Sequence, residues 1–148
     1  MNERLTVTLH HLVSELDAYA DDYLQRHHGV SFNTFQVLAV VADVEPVDIT
    51  HLARCLGVTK AAVSKRVPAL VEGGWLTTSA DPTHKRRVMV SLTPRAADLV
   101  QVAGGELEAE FTALFTDSRL SATGIEATAL NTHLHLLTTI LLEKGSSS

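Results

Sequence analysis

Residues 52–63 read Leu-Ala-Arg-Cys-Leu-Gly-Val-Thr-Lys-Ala-Ala-Val, and the groups able to do chemistry start near the end of this run. The Thr59 hydroxyl stands where it can cap a helix. Lys60, Ala61, Ser64, Lys65 and Arg66 follow within two helical turns on the polar side of Val63 and Val67. A capped helix that begins Thr-Lys and carries a basic face can enter a DNA major groove N-terminus first, with these residues approaching bases and phosphates. Further on, Lys85-Arg86-Arg87 concentrates positive charge just after the turn residues Asp81-Pro82-Thr83-His84. Arginines at such a tip reach the sugar–phosphate backbone or the minor groove.

Other chemistry has weaker support. His133 and His135 are two apart and do not share a helix face, and the adjacent pairs His10-His11 and His27-His28 diverge. With no metalloprotease motif and no paired cysteine, no bound metal is expected. Cys55 reads as a half-buried small hydrophobe, with redox sensing as the alternative. No glycine-rich phosphate loop, nucleophile elbow or carboxylate pair is present, so neither catalysis nor a cofactor is expected.

The elements that must position these groups can be read from spacing. Ala53, Gly57 and Val63 suit a helix-turn-helix: a small residue where the helices cross, a glycine free to take φ > 0 at the turn, and a valine filling the corner beside Leu52 and Leu56. Gly73-Gly74 stops the second helix. Thr77–Ala80 then predicts a short polar strand, and Val88, Val90 and Leu92 alternate as a half-buried one. Two helices followed by a hairpin with a basic tip make a winged helix-turn-helix.

The flanks predict long helices. Leu5, Leu9, Leu12, Leu16, Tyr19 and Tyr23 form one apolar seam, which Gly29 ends. A second helix runs from Ser31 or Asn33 through Phe35 and Leu38 to Asp43, and Asp48 can cap the helix after it. Thr93-Pro94 opens a helix that the Gly104-Gly105 pair bends. Ser121 or Thr123 starts the last, with Leu130, Leu134, Leu137 and Leu141 on one stripe. The expected fold is mainly α with a small β-hairpin wing. It divides into a winged helix-turn-helix over 31–93, a helical dimerisation region from 1–30 and 94–144, and a flexible tail over 145–148.

The chain carries −5 overall, which by itself argues against nucleic acid. Between Arg54 and Arg95, however, eight basic residues face two acidic ones, a local +6, while the remainder carries −11. Such segregation attracts a polyanion and orients its approach. At 148 residues the chain can build one domain with a dimerising extension. No apolar run approaches the roughly 20 residues that span a bilayer, so no membrane partner is expected. The start lacks a signal peptide's pattern, and the single cysteine suits a reducing cytoplasm.

In this order of parts the chain resembles the MarR (multiple-antibiotic-resistance regulator) family of bacterial transcription factors. The family's Leu-Ala-x-x-Leu-Gly-Val-Ser/Thr run is matched by Leu52–Thr59, and its exit from the recognition helix by Leu70-Val71-Glu72-Gly73-Gly74-Trp75-Leu76. Its wing is matched by Asp81–Arg87 followed by Val90-Ser91-Leu92-Thr93. The resemblance implies a homodimeric, sequence-specific regulator of a pseudo-palindromic DNA operator, a repressor relieved by a small ligand or another signal. It also implies that Arg86 is the main wing contact, with Lys85 and Arg87 facing phosphates or solvent. A small aromatic or phenolic ligand would lie near Tyr19, Tyr23, Phe35 and Trp75. Two departures stand out. His84 replaces the aspartate that usually holds the wing arginine, and Pro68 falls inside the recognition helix, where it deletes the bond to the Ser64 carbonyl. They sustain a rival reading, a winged helix used for protein–protein interaction.

Overall fold

Helix boundaries in this chain are set by short-range caps. In the computed structural model, which describes residues 4–146, α1 (Leu5–His28) ends at Gly29 with φ 68°, the left-handed conformation that glycine adopts without a Cβ clash. Ser31 then caps α2 (Phe32–Val44) by accepting the Thr34 N–H. The Asp21 carboxylate accepts the Phe32 N–H at 2.8 Å and so ties α1 to the start of α2. This bond and a second from the Gln25 amide hold the Asp21 carboxyl below the usual aspartate range.

β1 (Val47–Asp48) leads into α3 (Ile49–Leu56), and α4 (Lys60–Glu72) follows after a tight turn. β2 (Leu76–Asp81) and β3 (His84–Leu92) form the wing, and α5 (Pro94–Ala113) leaves it. The sheet order is β1-β3-β2, all antiparallel, with Val47 opposite Val90 and Leu76 opposite Leu92. β1 is absent from the sequence reading, because two residues are too few for a period-2 pattern to register. Within β3 the alternation is partial. Val90 is fully buried, whereas Val88, nearer the hairpin tip, is exposed.

Two compact units divide between Gly105 and Glu106, within α5. The first holds the core: Leu24, Leu38, Val41, Val47, Leu52, Leu76 and Val90 are its largest fully buried side chains. The second contains the end of α5, a 3-10 turn (Leu114–Thr116), α6 (Ser118–Ser121) and α7 (Ala127–Ser146). None of its described residues is buried. Phe111 and Phe115 meet edge to face at 6.1 Å, and with Leu130 and Leu134 they line a cavity of about 240 Å³.

The last long helix begins at Ala127 instead of Ser121 or Thr123. Ser118–Ser121 forms a separate turn capped by Asp117, and Gly124 at φ 75° breaks the chain direction before α7. α7 includes Gly145 and Ser146 of the stretch expected to be a tail; Ser147 and Ser148 lie outside the described residues. The bulk of α1's leucine seam faces solvent, with Leu5, Leu12, Leu16 and Tyr19 exposed. Ala20 and Leu24 are the α1 residues that enter the core.

Candidate nucleic-acid interface

The helix-turn-helix is built as its spacing implies. Leu52, Ala53 and Val63 are buried at the α3–α4 corner, with Leu56 half-buried beside them. Gly57 takes φ 68° and donates to the Arg54 carbonyl at 3.2 Å, while the Val58 N–H reaches the Ala53 carbonyl at 3.1 Å. Thr59 Oγ1 accepts the Ala62 N–H at 3.1 Å, capping α4. Asp48 Oδ1 accepts the His51 N–H at 2.7 Å, capping α3. Pro68 does not break α4. It lies exposed, while Val63, Val67 and Leu70 on the opposite side remain buried, so the turn it disturbs faces solvent.

At the other end of α4 the positive φ falls on Gly74 (78°), and Gly73 is helical. Thr93 anchors the base of the wing. Its hydroxyl donates to the Gly74 carbonyl at 2.7 Å and accepts the Ala96 N–H at 3.2 Å, capping α5 with Pro94 in the first turn.

A concave groove of about 670 Å³ runs between the helix-turn-helix and the wing. Its walls include His51 and Arg54 of α3, Lys60 and Ser64 of α4, and His84, Arg86 and Arg87 of β3. Of the expected contact residues, Lys60, Ser64, Arg86 and Arg87 therefore converge on one surface. Thr59, Ala61 and Lys65 are exposed around the start of α4. Lys85 lies on β3, and its side chain is outside the described residues.

Arg66 turns elsewhere. It is half-buried and donates to the Asn33 carbonyl of α2 at 3.2 Å. Arg95, part of the basic segment, donates to the Gly73 carbonyl at 2.9 Å and stacks 3.8 Å from the centre of the Trp75 ring. Two of the eight basic residues thus serve packing. His51, Arg54 and His84 were not singled out from the sequence as groove residues. The i, i+3 spacing of His51 and Arg54 on the outer face of α3 is the signal that could have found them.

The wing differs from expectation in which arginine is held. Arg87 Nε lies 3.4 Å from Asp48 Oδ2, and Arg87 Nη1 lies 3.6 Å from Asp81 Oδ2. Arg87 is therefore tied to two carboxylates instead of simply facing phosphate or solvent, and Asp48 links the wing to the α3 cap. Asp81 also accepts the Thr83 N–H at 2.9 Å and the Thr83 hydroxyl at 2.8 Å, closing the hairpin turn. Those bonds, with smaller contributions from Arg87 and His84, hold its carboxyl below the usual range.

Cys55 is exposed, a correction to its expected half-burial: on α3 the inward stripe consists of Leu52, Ala53 and Leu56, and position 55 falls outside it. The four aromatics of the expected ligand pocket have separate settings. Tyr19 is exposed, Tyr23 stacks on His27 at 4.3 Å, Phe35 is buried near Gly104, and Trp75 lies under Arg95. None of them lines the groove or the α5–α7 cavity. Among the described residues, no three His, Cys, Asp or Glu side chains gather to hold a metal, and no helix is long and apolar enough to cross a membrane.

Residues 28–87, from the end of α1 to Arg87, match the family model described as MarR family. Over this segment the chain is similar to the MarR family. An uncharacterized HTH-type transcriptional regulator of Bacillus subtilis (strain 168), YhjH, is 30% identical over 91 residues, which cover 57% of this chain and 52% of that protein. The chain thus matches about half the length of this curated relative. In fold, the chain is similar to a mutant of MarR from E. coli complexed with operator DNA (TM-score 0.70, 23% identity, 93% of each chain covered). It is also similar to FabT of Streptococcus pneumoniae in complex with DNA (0.74, 14%, 99% of each chain). BldR of Sulfolobus solfataricus is a third match (0.75, 21%, 97% of this chain and 99% of that one).

Proposed function

We propose that this chain is a member of the MarR family, a non-enzymatic, homodimeric transcriptional regulator that binds a pseudo-palindromic DNA operator. The observation that carries the reading is the basic groove, in which Lys60 and Ser64 at the start of a capped α4 face Arg86 and Arg87 of the wing. α4 enters the major groove with Thr59, Lys60, Ala61, Ser64 and Lys65 towards bases and phosphates, and Arg86 reaches the minor groove. Arg66, which donates to the Asn33 carbonyl of α2, holds α4 in position. The DNA complexes of E. coli MarR and S. pneumoniae FabT support the same role for this fold here.

Two apolar faces left open on the protomer support the dimer: Leu5, Leu12 and Leu16 on α1, and Leu137, Leu141 and Leu142 on α7. A helix that buries none of its residues within its own chain needs a partner for its leucine stripe. The dimerisation region accordingly comprises 1–30 and 94–144, flanking the DNA-binding part at 31–93. In the finer form of the proposal the dimer is a repressor, released when a small effector alters the spacing of its two recognition helices.

The test is fluorescence anisotropy on a duplex recovered by selection from random sequences. Log affinity should fall steeply with log salt, by about 0.9 per neutralised phosphate, and Lys60→Ala and Arg86→Ala should each reduce that slope by about one per protomer. Failure to prefer the selected duplex over random DNA would overturn the reading in favour of a protein-interaction module.

A further inference from the structure

The groove contains two groups that the basic-residue reading leaves unused. His51 lies in the first turn of α3 and His84 at the start of β3, and these two exposed residues line one cavity. Arg54 on α3, Lys60 and Ser64 on α4, and Arg86 and Arg87 on β3 face the same space. The acidic groups nearby are Asp48, at the cap of α3, and Asp81, at the end of β2, and both are already paired with Arg87. Asp81 also pairs with His84 across the hairpin, and apart from these two carboxylates the charged side chains of the groove are positive. A polyphosphate entering the groove reverses the sign of the local potential and favours the protonated ring.

We propose that His51 and His84 are two further phosphate-contacting residues of the nucleic-acid interface, and that each takes up a proton as the duplex backbone enters the groove. The inference rests on the DNA-binding reading above and adds a proton linkage to it. Histidine is the side chain whose charge changes between about pH 5 and 8, so the linkage acts where the other groove cations stay fixed. The remaining six histidines lie on α1 and α7, outside the groove lining.

Calorimetric titration of the full chain with the selected duplex near pH 7, in buffers of different ionisation enthalpy, counts the protons taken up. Anisotropy at pH 6 and pH 8 gives the accompanying change in affinity. Wild type should take up protons and bind at least about tenfold more tightly at pH 6 than at pH 8. Its salt slope should also be steeper at pH 6, by about 0.9 for each phosphate newly neutralised. His51→Gln and His84→Gln should each remove part of the uptake, and the double variant should retain less than about threefold pH dependence. Both side chains are exposed, and the Asp48 cap uses only the His51 backbone N–H, so thermal melting should remain unchanged. Tight duplex binding with equal proton uptake in wild type and double variant would overturn the inference and leave the DNA reading standing. Absence of duplex binding at every pH would overturn the DNA reading itself.

Discussion

Asp48 has two functions that substitution can separate. One carboxylate oxygen accepts the His51 N–H at 2.7 Å as the cap of α3, and the other lies 3.4 Å from Arg87 Nε. Loss of an N-cap costs about 1 kcal/mol, and asparagine caps about as well as aspartate. The ion pair contributes less, because Arg87 is 49% and Asp48 23% exposed, so solvent screening leaves about 0.5 kcal/mol or less. Asp48→Asn should therefore cost about 0.5 kcal/mol and Asp48→Ala about 1.5 kcal/mol. In a domain of this size that means thermal midpoints lower by about 1–2 °C and about 4–5 °C respectively. Both can be followed by circular dichroism in low salt. A double-mutant cycle of Asp48→Asn with Arg87→Gln should return a coupling below about 0.5 kcal/mol that vanishes in 1 M salt. Equal losses in the asparagine and alanine variants would refute the division into cap and ion pair. So would a coupling that survives high salt.

Leu141→Glu, at a position 71% exposed in the protomer, should convert a sedimenting dimer into a monomer with an unchanged helical spectrum; a persistent dimer would remove α7 from the interface. Asp21 and Asp81 are both held below the ordinary aspartate range, Asp21 chiefly by the Phe32 N–H and Asp81 chiefly by the Thr83 N–H. Their contribution to stability is therefore complete above about pH 4 and is lost as pH falls through the lowered folded-state values. Melting midpoints of wild type and Asp21→Ala, measured from pH 6 to 2.5, should converge as the pH falls, and a gap that widened would contradict the sign. Pro68→Ala should raise the midpoint, since restoring the N–H inside α4 gains more than the roughly 0.4–1 kcal/mol lost through a freer unfolded chain. A lower midpoint would show that the proline fits α4 without cost.

Local features were legible in the sequence because their causes are local. The αL turn at Gly57, the Thr59, Asp48 and Thr93 caps, and the α2 boundaries depend on atoms within about four residues of one another, so residue type and spacing suffice. The alternation of Val88, Val90 and Leu92 likewise located β3, although burial of Val90 alone among them required its partners Val47 and Thr78. Tertiary structure decided which charged side chains remain available. Arg66, Arg86, Arg87 and Arg95 look equivalent in a charge count, yet Arg66 is drawn to a carbonyl 33 residues away and Arg95 to Trp75 and Gly73. Arg87 is drawn to Asp48 and Asp81, while Arg86 is left lining the groove. β1, the exposure of Cys55 and the convergence of His51 with His84 were hidden for the same reason. A side chain's neighbours across elements are fixed by how helices and strands pack, and neither spacing nor composition encodes that packing at the level of a single residue.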